Sequence, residues 1–120
     1  MNLANVWEAI ADRLGDQPAL VHAGTPLSWS GFEDRAARIA AHLESAGVGP
    51  DSKVALYLYN CTEYPIATFA AFKRSAVPVN VNYRYLEAEL EYLLDNSDAE
   101  AVVVSAELLD RLAEVIDRVP

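Results

Sequence analysis

The pattern of apolar and polar positions is most informative between Lys53 and Tyr85, and the rest of the chain is organised around that stretch. Val54 to Tyr59 is a short apolar run rich in residues that favour strands, and Val77 to Val81 is a second such run. Between them, Thr62 is placed to cap a helix that runs to about Ser75. A strand, a helix and a strand in this order predict two parallel strands joined by a right-handed crossover.

The first thirty residues predict a helix followed by a small hairpin. Leu3 to Leu14 carries apolar residues at helical spacing, with Asn2 as a cap and Gly15 as a stop. Trp7, on the apolar side of this helix, is interpreted as a core anchor. A strand, a turn and a return strand follow at Pro18 to His22, Gly24 to Pro26 and Leu27 to Trp29.

A second helix is predicted after the hairpin. Ser30 and Glu33 have the spacing of a capping box, so the helix is expected to begin there and to end at Gly47. Its apolar stripe contains Phe32, Ala36, Ile39, Ala40 and Leu43, and its water-facing side contains Glu33, Asp34, Arg38 and His42. Contact between His42 and the helix dipole is a sufficient explanation for this histidine.

The third helix differs from the others because it is apolar nearly all round. Its apolar residues are Ile66, Ala67, Phe69, Ala70, Ala71 and Phe72. A helix of this kind is normally buried on more than one side, and only two other long helices can reach the same face. The pattern therefore predicts a missing packing partner, a chain that is a piece of something larger, and self-association through exposed apolar surface.

The last third of the chain predicts a helix, a strand and a helix. Leu86, Leu90, Leu93 and Leu94 indicate a helix ending near Asn96, and Ala99 to Val104 indicates a third buried strand. Ser105 is placed to cap a last helix with Leu108, Leu109, Leu112, Val115, Ile116 and Val119 on one side, and Pro120 suits the position after a helix. The predicted fold is α/β, a partial doubly wound parallel sheet with helices on both faces plus a small antiparallel hairpin near the N-terminus.

Composition and charge narrow the class of partner. With 120 residues the chain is one domain, residues 1–120, with no second domain. From Glu87 onward the sequence contains ten acidic residues but only two basic ones, Arg111 and Arg118. This excess accounts for most of the net charge of -9. Nucleic acid is therefore excluded as a partner because no basic face is available, and the acidity is interpreted as the solvated outer faces of two helices.

Cysteine and histidine usage predicts a cytoplasmic protein without a metal site. Cys61 is the only cysteine and cannot form an internal disulfide, and no Cys/His cluster has metal-ligand spacing. Cys61 is interpreted as a small, partly buried thiol, and His22 as a residue of a strand surface. The N-terminus lacks the features of a secretory signal, and no apolar run is long enough to form a transmembrane segment.

The polar residues that follow the predicted strands mark the candidate site. Ligands of parallel sheets gather at the carboxyl ends of strands, which here carry Asn60 to Thr62 and Asn80 to Tyr85. The positions of interest are Asn82, Tyr83, Arg84 and Tyr85. Arg84, flanked by two aromatic residues, is suited to bidentate contact with a phosphate or carboxylate; pairing with Glu87 or Glu89 is the alternative.

No motif of a phosphate loop, a nucleophile elbow or a catalytic triad is present, but three segments carry a family resemblance. They are LSWSGFEDRAARIAAHL, VALYLYNCTEYPIATFAAFK and VPVNVNYRYLEAELEYLLDNSDAEAVV. These segments and the order of elements resemble the amino-terminal part of the AMP-forming acyl-CoA synthetases, the adenylate-forming ligases. The wording around Asn80 to Tyr85 resembles the members that activate fatty and other bulky hydrophobic acids. The chain is thus expected to be the first portion of the large N-terminal domain of such an enzyme.

The resemblance implies a two-step reaction. A carboxylate attacks the α-phosphate of ATP to give an acyl-adenylate and pyrophosphate, and the thiol of CoA then displaces AMP, with Mg²⁺ screening the phosphates. The family's phosphate loop, nucleotide contacts, Mg²⁺ ligands and catalytic lysine match no residue here, so no catalytic or metal residue is assigned. Arg84 alone carries over, as a contact to a phosphate of CoA. The isolated chain is expected to be inactive and to bind none of these cofactors tightly.

Two rival functions remain open at the level of sequence. One is a stand-alone, non-catalytic module derived from such a ligase that holds CoA or an acyl group in a binding or regulatory role. The other is a structural interaction domain of flavodoxin-like outline.

Overall fold

The computed structural model describes residues 2–118, which form five helices and five strands. The helices are α1 (Leu3–Leu14), α2 (Trp29–Ser45), α3 (Glu63–Lys73), α4 (Glu87–Asn96) and α5 (Leu109–Val115). The strands are β1 (Pro18–His22), β2 (Thr25–Ser28), β3 (Lys53–Tyr57), β4 (Val77–Asn80) and β5 (Ala99–Val104). Short 3₁₀ turns at Ala106–Leu108 and Ile116–Arg118 flank α5. The expectations for Val119 and Pro120 lie outside the described residues.

Three parallel strands in the order β4–β3–β5 form the main sheet, and β1 and β2 form a separate antiparallel hairpin. Alternate residues of the central strand face opposite sides of the sheet. Val54 and Leu56 pack with α1, α2 and α3, whereas Ala55 and Tyr57 pack with α4 and α5. The predicted α/β fold with helices on both faces of a parallel sheet is confirmed.

An aromatic cluster holds α1, α2 and α3 together on the first face. The Trp7 ring lies 5.6 Å from that of Phe32, 5.1 Å from that of Phe69 and 5.9 Å from that of Phe72. Phe32 and Phe69 also contact each other, at 4.9 Å. Tilted and edge-on arrangements at these distances are favourable for aromatic rings. The interpretation of Trp7 as a core anchor is confirmed.

The first helix has the predicted bounds, but its terminal glycine has a different role. The side chain of Asn2 accepts a hydrogen bond from the Ala4 N–H at 2.8 Å, as expected of a cap. Gly15 has a right-handed φ of -49°, so it does not serve as a left-handed stop. A Cβ at Gly15 would lie 2.4 Å from Oγ of Ser30, and glycine therefore permits α1 to end against the start of α2.

The predicted hairpin turn and capping box are wrong. The turn is Ala23–Gly24, both with positive φ, and Thr25 and Pro26 already belong to β2. The N-cap of α2 is Ser28, whose Oγ accepts from the Gly31 N–H at 3.1 Å. The backbone N–H of Ser30 donates instead to the carbonyl of Gly15, a contact between distant segments that favours the earlier cap.

The third helix is buried by elements of this chain, so the missing partner predicted for it is not needed. Ile66, Ala67, Phe69, Ala70 and Ala71 are at most 1% exposed. Their neighbours are α1 and α2 on one side and the sheet on the other. Exposed large apolar side chains lie elsewhere, including Val21, Leu86 and Tyr92.

Smaller differences concern the ends of elements. β3 stops at Tyr57 and β4 at Asn80, although the apolar runs continue through the buried residues Leu58 and Val81. Thr62 occupies the cap position of α3 without a side-chain hydrogen bond. The single last helix predicted after Ser105 is a 3₁₀ turn, α5 and a second 3₁₀ turn.

Candidate functional site

The carboxyl ends of β3, β4 and β5 meet at one edge of the sheet. The chain leaves β3 toward α3 on one face, but it leaves β4 and β5 toward α4 and α5 on the opposite face. The loops therefore separate on both sides of β3, which is where open α/β sheets bind ligands. An open groove of about 400 Å³ lies on the β4 side, and one of about 490 Å³ lies on the β5 side.

Polar side chains line the groove between β3 and β4. Asn60, Tyr64, Asn80, Asn82 and Tyr83 contribute to its walls. The hydroxyl of Tyr64 donates to Oδ1 of Asn80 at 2.5 Å, and burial raises the pKa of this phenol. Amide and hydroxyl groups of this kind provide both donors and acceptors for a polar ligand.

The loop from Asn82 to Leu86 is held from three directions. The buried hydroxyl of Tyr57 donates to the carbonyl of Tyr85 at 2.9 Å. The guanidinium of Arg111 donates to the carbonyl of Tyr83 at 2.9 Å. Within the loop, Oδ1 of Asn82 accepts from the Arg84 N–H, also at 2.9 Å, in the manner of an Asx turn. The backbone beneath Arg84 is consequently fixed by groups from β3 and from α5.

Arg84 itself is exposed and lies over the ring of Tyr83. Its guanidinium carbon is 5.6 Å from the centre of the Tyr83 ring, and that ring is 5.0 Å from the ring of Tyr59. Glu87, one of the carboxylates considered as its partner, binds Arg118, and Glu89 accepts from the Leu86 N–H. Within residues 2–118 no salt bridge engages Arg84, so its donors remain available to an anion.

The groove between β3 and β5 contains Cys61, Glu63 and His22. Burial raises the pKa of the Cys61 thiol, and its hydrogen bond to Glu63 raises it further. The pKa of Glu63 is lowered, mainly by its own backbone N–H and then by the Cys61 thiol. A thiol with a raised pKa is a poor nucleophile at neutral pH, in agreement with the structural interpretation of Cys61. His42, the other histidine, is exposed in the last turn of α2.

Sequence reasoning brought together Asn82, Tyr83, Arg84 and Tyr85, and the structure places them in one loop at the sheet edge. It missed Tyr59, Tyr57 and Arg111 as neighbours of that loop. Tyr59 ends the first apolar run and could have been found as a strand-end residue. The contact from Arg111 spans 28 positions and has no local signal.

Two kinds of feature are absent from the part of the chain that the structure describes. Residues 2–118 contain no group of three or more His, Cys, Asp or Glu side chains arranged to hold a metal ion. No helix in the same range is long and apolar enough to cross a membrane.

Residues 7–120 match the protein family described as AMP-binding enzyme. The chain belongs to this family. The resemblance to the adenylate-forming ligases found in the three sequence segments is thereby confirmed. The family also accounts for the fold, because solved ligases superpose on nearly all of the chain.

Fatty-acid–CoA ligases are among the relatives of this chain. The medium/long-chain-fatty-acid–CoA/3-oxocholest-4-en-26-oate–CoA ligase of Mycobacterium marinum is 40% identical over 120 residues, which is 100% of this chain and 22% of the relative. The long-chain-fatty-acid–CoA ligase of Escherichia coli O157:H7 is 33% identical over 98% of this chain and 21% of its own length. The chain therefore spans about a fifth of the length of these curated relatives.

Solved structures show the same correspondence. A putative long-chain-fatty-acid CoA ligase from Rhodopseudomonas palustris superposes with a TM-score of 0.92 and 28% identity, over 100% of this chain and 30% of that structure. A benzoate CoA ligase from Burkholderia xenovorans gives a TM-score of 0.91 and 25% identity, over 98% of this chain and 24% of that structure.

Proposed function

We propose that these 120 residues are the first portion of the large N-terminal domain of an ATP-dependent acyl-CoA synthetase. The observation that carries the proposal is that the whole chain matches the fatty-acid–CoA ligase of Mycobacterium marinum with 40% identity. The whole protein would join a carboxylic acid to CoA through an acyl-adenylate, with ATP as the second substrate. The acid is a fatty acid or another hydrophobic acid.

Within that enzyme this segment acts as scaffold. Neither a glycine-rich phosphate loop nor a set of Mg²⁺ ligands is formed by residues 2–118, so these residues do not fit ATP or Mg²⁺ by themselves. The nucleotide and metal contacts belong to other parts of the whole protein. The isolated chain is accordingly expected to catalyse neither half-reaction.

Arg84 is the residue through which this segment contacts a ligand in the proposal. Its exposed guanidinium, fixed backbone and lack of a carboxylate partner within the described residues suit a phosphate of CoA. An arginine that contacts a phosphate by charge-assisted hydrogen bonds contributes roughly 1.5–3 kcal/mol to affinity. Loss of the side chain should therefore weaken CoA binding by about 10-fold or more.

Net charge and cysteine content support two further parts of the proposal, which concern nucleic acid and the cellular compartment. The net charge of -9 leaves nucleic acid outside the proposal. A reducing cytoplasm is proposed as the compartment because the chain carries one cysteine, which is half-buried and free.

The test compares the chain with a longer product of the same gene. We expect the longer product to show fatty-acid-dependent exchange of pyrophosphate into ATP and to form acyl-CoA, and we expect residues 1–120 to show neither activity. Exchange by the 120-residue chain, or no acyl-CoA from the longer product with any hydrophobic acid, would contradict the proposal.

The role of Arg84 is tested in the longer product by the Arg84→Ala variant. The KM for CoA should rise about 10-fold while the pyrophosphate exchange, which does not involve CoA, stays unchanged. Arg38→Ala is the matched control, because Arg38 is exposed on α2 and pairs only with Asp34 in the described structure. Calorimetric binding of CoA to the isolated chain that is lost in Arg84→Ala would instead support the non-catalytic CoA-binding module.

A further inference from the structure

The peptide unit between Tyr83 and Arg84 is held at both of its polar atoms. Nη1 of Arg111 donates to the carbonyl oxygen of Tyr83 at 2.9 Å, and the N–H of Arg84 donates to Oδ1 of Asn82, also at 2.9 Å. A peptide unit is planar and rigid, so hydrogen bonds at its two opposite ends fix the orientation of the whole plane. They thereby restrict the backbone angles on either side of it, ψ of Tyr83 and φ of Arg84.

The next two peptide units are held by other groups. The N–H of Tyr85 donates to the carbonyl of Asn82 at 3.0 Å, within the loop, and the carbonyl of Tyr85 accepts from the hydroxyl of Tyr57. Among the described residues, Arg111 is the only group outside the loop that hydrogen-bonds to the peptide unit leading into Arg84. The orientation of that unit therefore depends on α5 as well as on the loop itself.

This orientation determines how two neighbouring side chains are presented. Tyr83 and Arg84 extend from the two ends of the peptide unit, and the guanidinium carbon lies 5.6 Å from the centre of the Tyr83 ring. The ring is supported in turn by Tyr59, at 5.0 Å. A rotation of the peptide plane would turn the guanidinium away from this ring. An arginine that is already oriented loses less conformational freedom when it binds an anion.

Helix α5 holds Arg111 in place for this contact. Leu112 and Val115 of the same helix are buried in one cluster with residues of α4, so the helix is fixed against the element that follows the loop. Glu114, three positions after Arg111, has a spacing that suits an ion pair along a helix. Within residues 2–118 no salt bridge engages Arg111, and its guanidinium donates to the loop instead.

We propose that Arg111 is a positioning residue for CoA, which acts through the peptide unit between Tyr83 and Arg84. This role rests on the proposed contact between Arg84 and a phosphate of CoA, and it adds the group that orients that contact. Arg111 holds the backbone so that the guanidinium of Arg84 meets the phosphate in a productive orientation. Every atom involved belongs to the described residues. A longer solved ligase superposes on 100% of this chain, so a longer protein of this fold accommodates the same arrangement.

Steady-state kinetics of the longer product test this role by comparing Arg111→Ala, Arg84→Ala and the double variant. In Arg111→Ala the KM for CoA should rise roughly 3-fold to 10-fold, the order expected for one net hydrogen bond. The kcat at saturating CoA and the pyrophosphate exchange should stay unchanged. Because Arg111 acts through Arg84, its removal should raise the KM little further once Arg84 is alanine. Arg111→Lys keeps a donor and the charge, and should recover part of the lost affinity.

Two controls separate positioning from simple charge attraction. Arg38→Ala removes the same charge from α2 and should leave the KM for CoA unchanged. The ratio of KM values between Arg111→Ala and the unaltered protein should be the same at low and high salt, because salt would weaken only a direct attraction between Arg111 and a phosphate. Hydrogen exchange gives a readout without CoA, since the amides of Arg84 and Tyr85 should exchange faster in Arg111→Ala.

The outcomes distinguish this role from the proposed function. A raised KM in Arg84→Ala beside an unchanged KM in Arg111→Ala overturns the positioning role and leaves the proposed function intact. Independent effects of the two substitutions in the double variant, or a KM ratio that falls with salt, also overturn it. An unchanged KM in both single variants overturns the contact of Arg84 with CoA and the positioning role together. If Arg111→Ala loses pyrophosphate exchange, the comparison passes to Arg111→Lys, whose KM must then exceed that of the unaltered protein.

Discussion

Replacing Tyr57 by phenylalanine removes one buried hydroxyl and tests how the candidate site is held. The Tyr57 side chain is 0% exposed, and its hydroxyl donates to the carbonyl of Tyr85 at 2.9 Å. Phenylalanine fills the same space except for the hydroxyl. The change therefore deletes the hydrogen bond and leaves the Tyr85 carbonyl without this donor, with almost no change in apolar packing.

The expected cost follows from that geometry. A net hydrogen bond contributes roughly 0.5–1.5 kcal/mol, and a partly buried carbonyl left without a partner adds desolvation cost, so we expect a loss of about 1–2 kcal/mol. For a domain of this size the melting temperature should fall by roughly 4–8 °C. Because the carbonyl belongs to the loop from Asn82 to Leu86, the amides of that loop should also exchange faster in the variant.

Urea unfolding followed by circular dichroism measures the free energy of unfolding, at a protein concentration low enough to keep association out of the result. Tyr92→Phe is the matched control, because Tyr92 is 69% exposed and the described structure gives its hydroxyl no hydrogen bond. This control should remain within about 0.5 kcal/mol of the unaltered chain. A Tyr57→Phe variant that is equally close to the unaltered chain would refute the proposed anchoring of the loop.

Two further predictions concern charged groups. The ammonium of Lys73 lies 2.5 Å from the carboxylate of Glu33, and the two side chains are 11% and 33% exposed. A double-mutant cycle with Lys73→Met and Glu33→Gln should therefore give a coupling energy of about 1 kcal/mol, which decreases in high salt. Additive effects of the two substitutions on stability would contradict the pairing. The folded pKa of Glu63 lies below its ordinary value of 4.5, so its contribution to stability is complete above that pH and is lost as the pH falls below it. Cys61→Ala should raise the carboxyl pKa of Glu63 in an NMR titration, Cys61→Ser should retain part of the effect, and no change in either variant would show that the thiol is not a donor.

Elements with local signals were predictable from the sequence. The bounds of α1, β1 and β5 agree with the expected ones because a cap, a glycine or a change of period marks each end within a few residues. The sheet order could be expected only in part, since periodicity indicates buried strands but does not state which strand lies at the centre. The central position of β3 follows from pairing on both of its sides.

The errors arose where distant contacts decide between equivalent local signals. Ser28 and Ser30 are both suitable caps for α2, and the bond from Trp29 N–H to the Gln17 carbonyl helps to set the earlier start. The candidate site shows the same division. The position of its loop could be predicted from the ends of the strands. The side chains that hold the loop, Tyr57 and Arg111, each lie 28 positions along the chain from the residue that they contact.

The all-apolar character of α3 was the basis for expecting this helix to be incompletely buried. In the structure, the incompletely buried apolar side chains lie in another part of the fold. Buried on one side by α1 and α2 and on the other by the sheet, α3 needs no further partner. The half-buried valines lie on β5 instead, on the far side of the central strand from Pro78, and within residues 2–118 no strand pairs with the outer side of β5. Incomplete burial within residues 2–118 is therefore a property of the outer strand of the sheet, so the apolar pattern of α3 gives no reason to expect self-association.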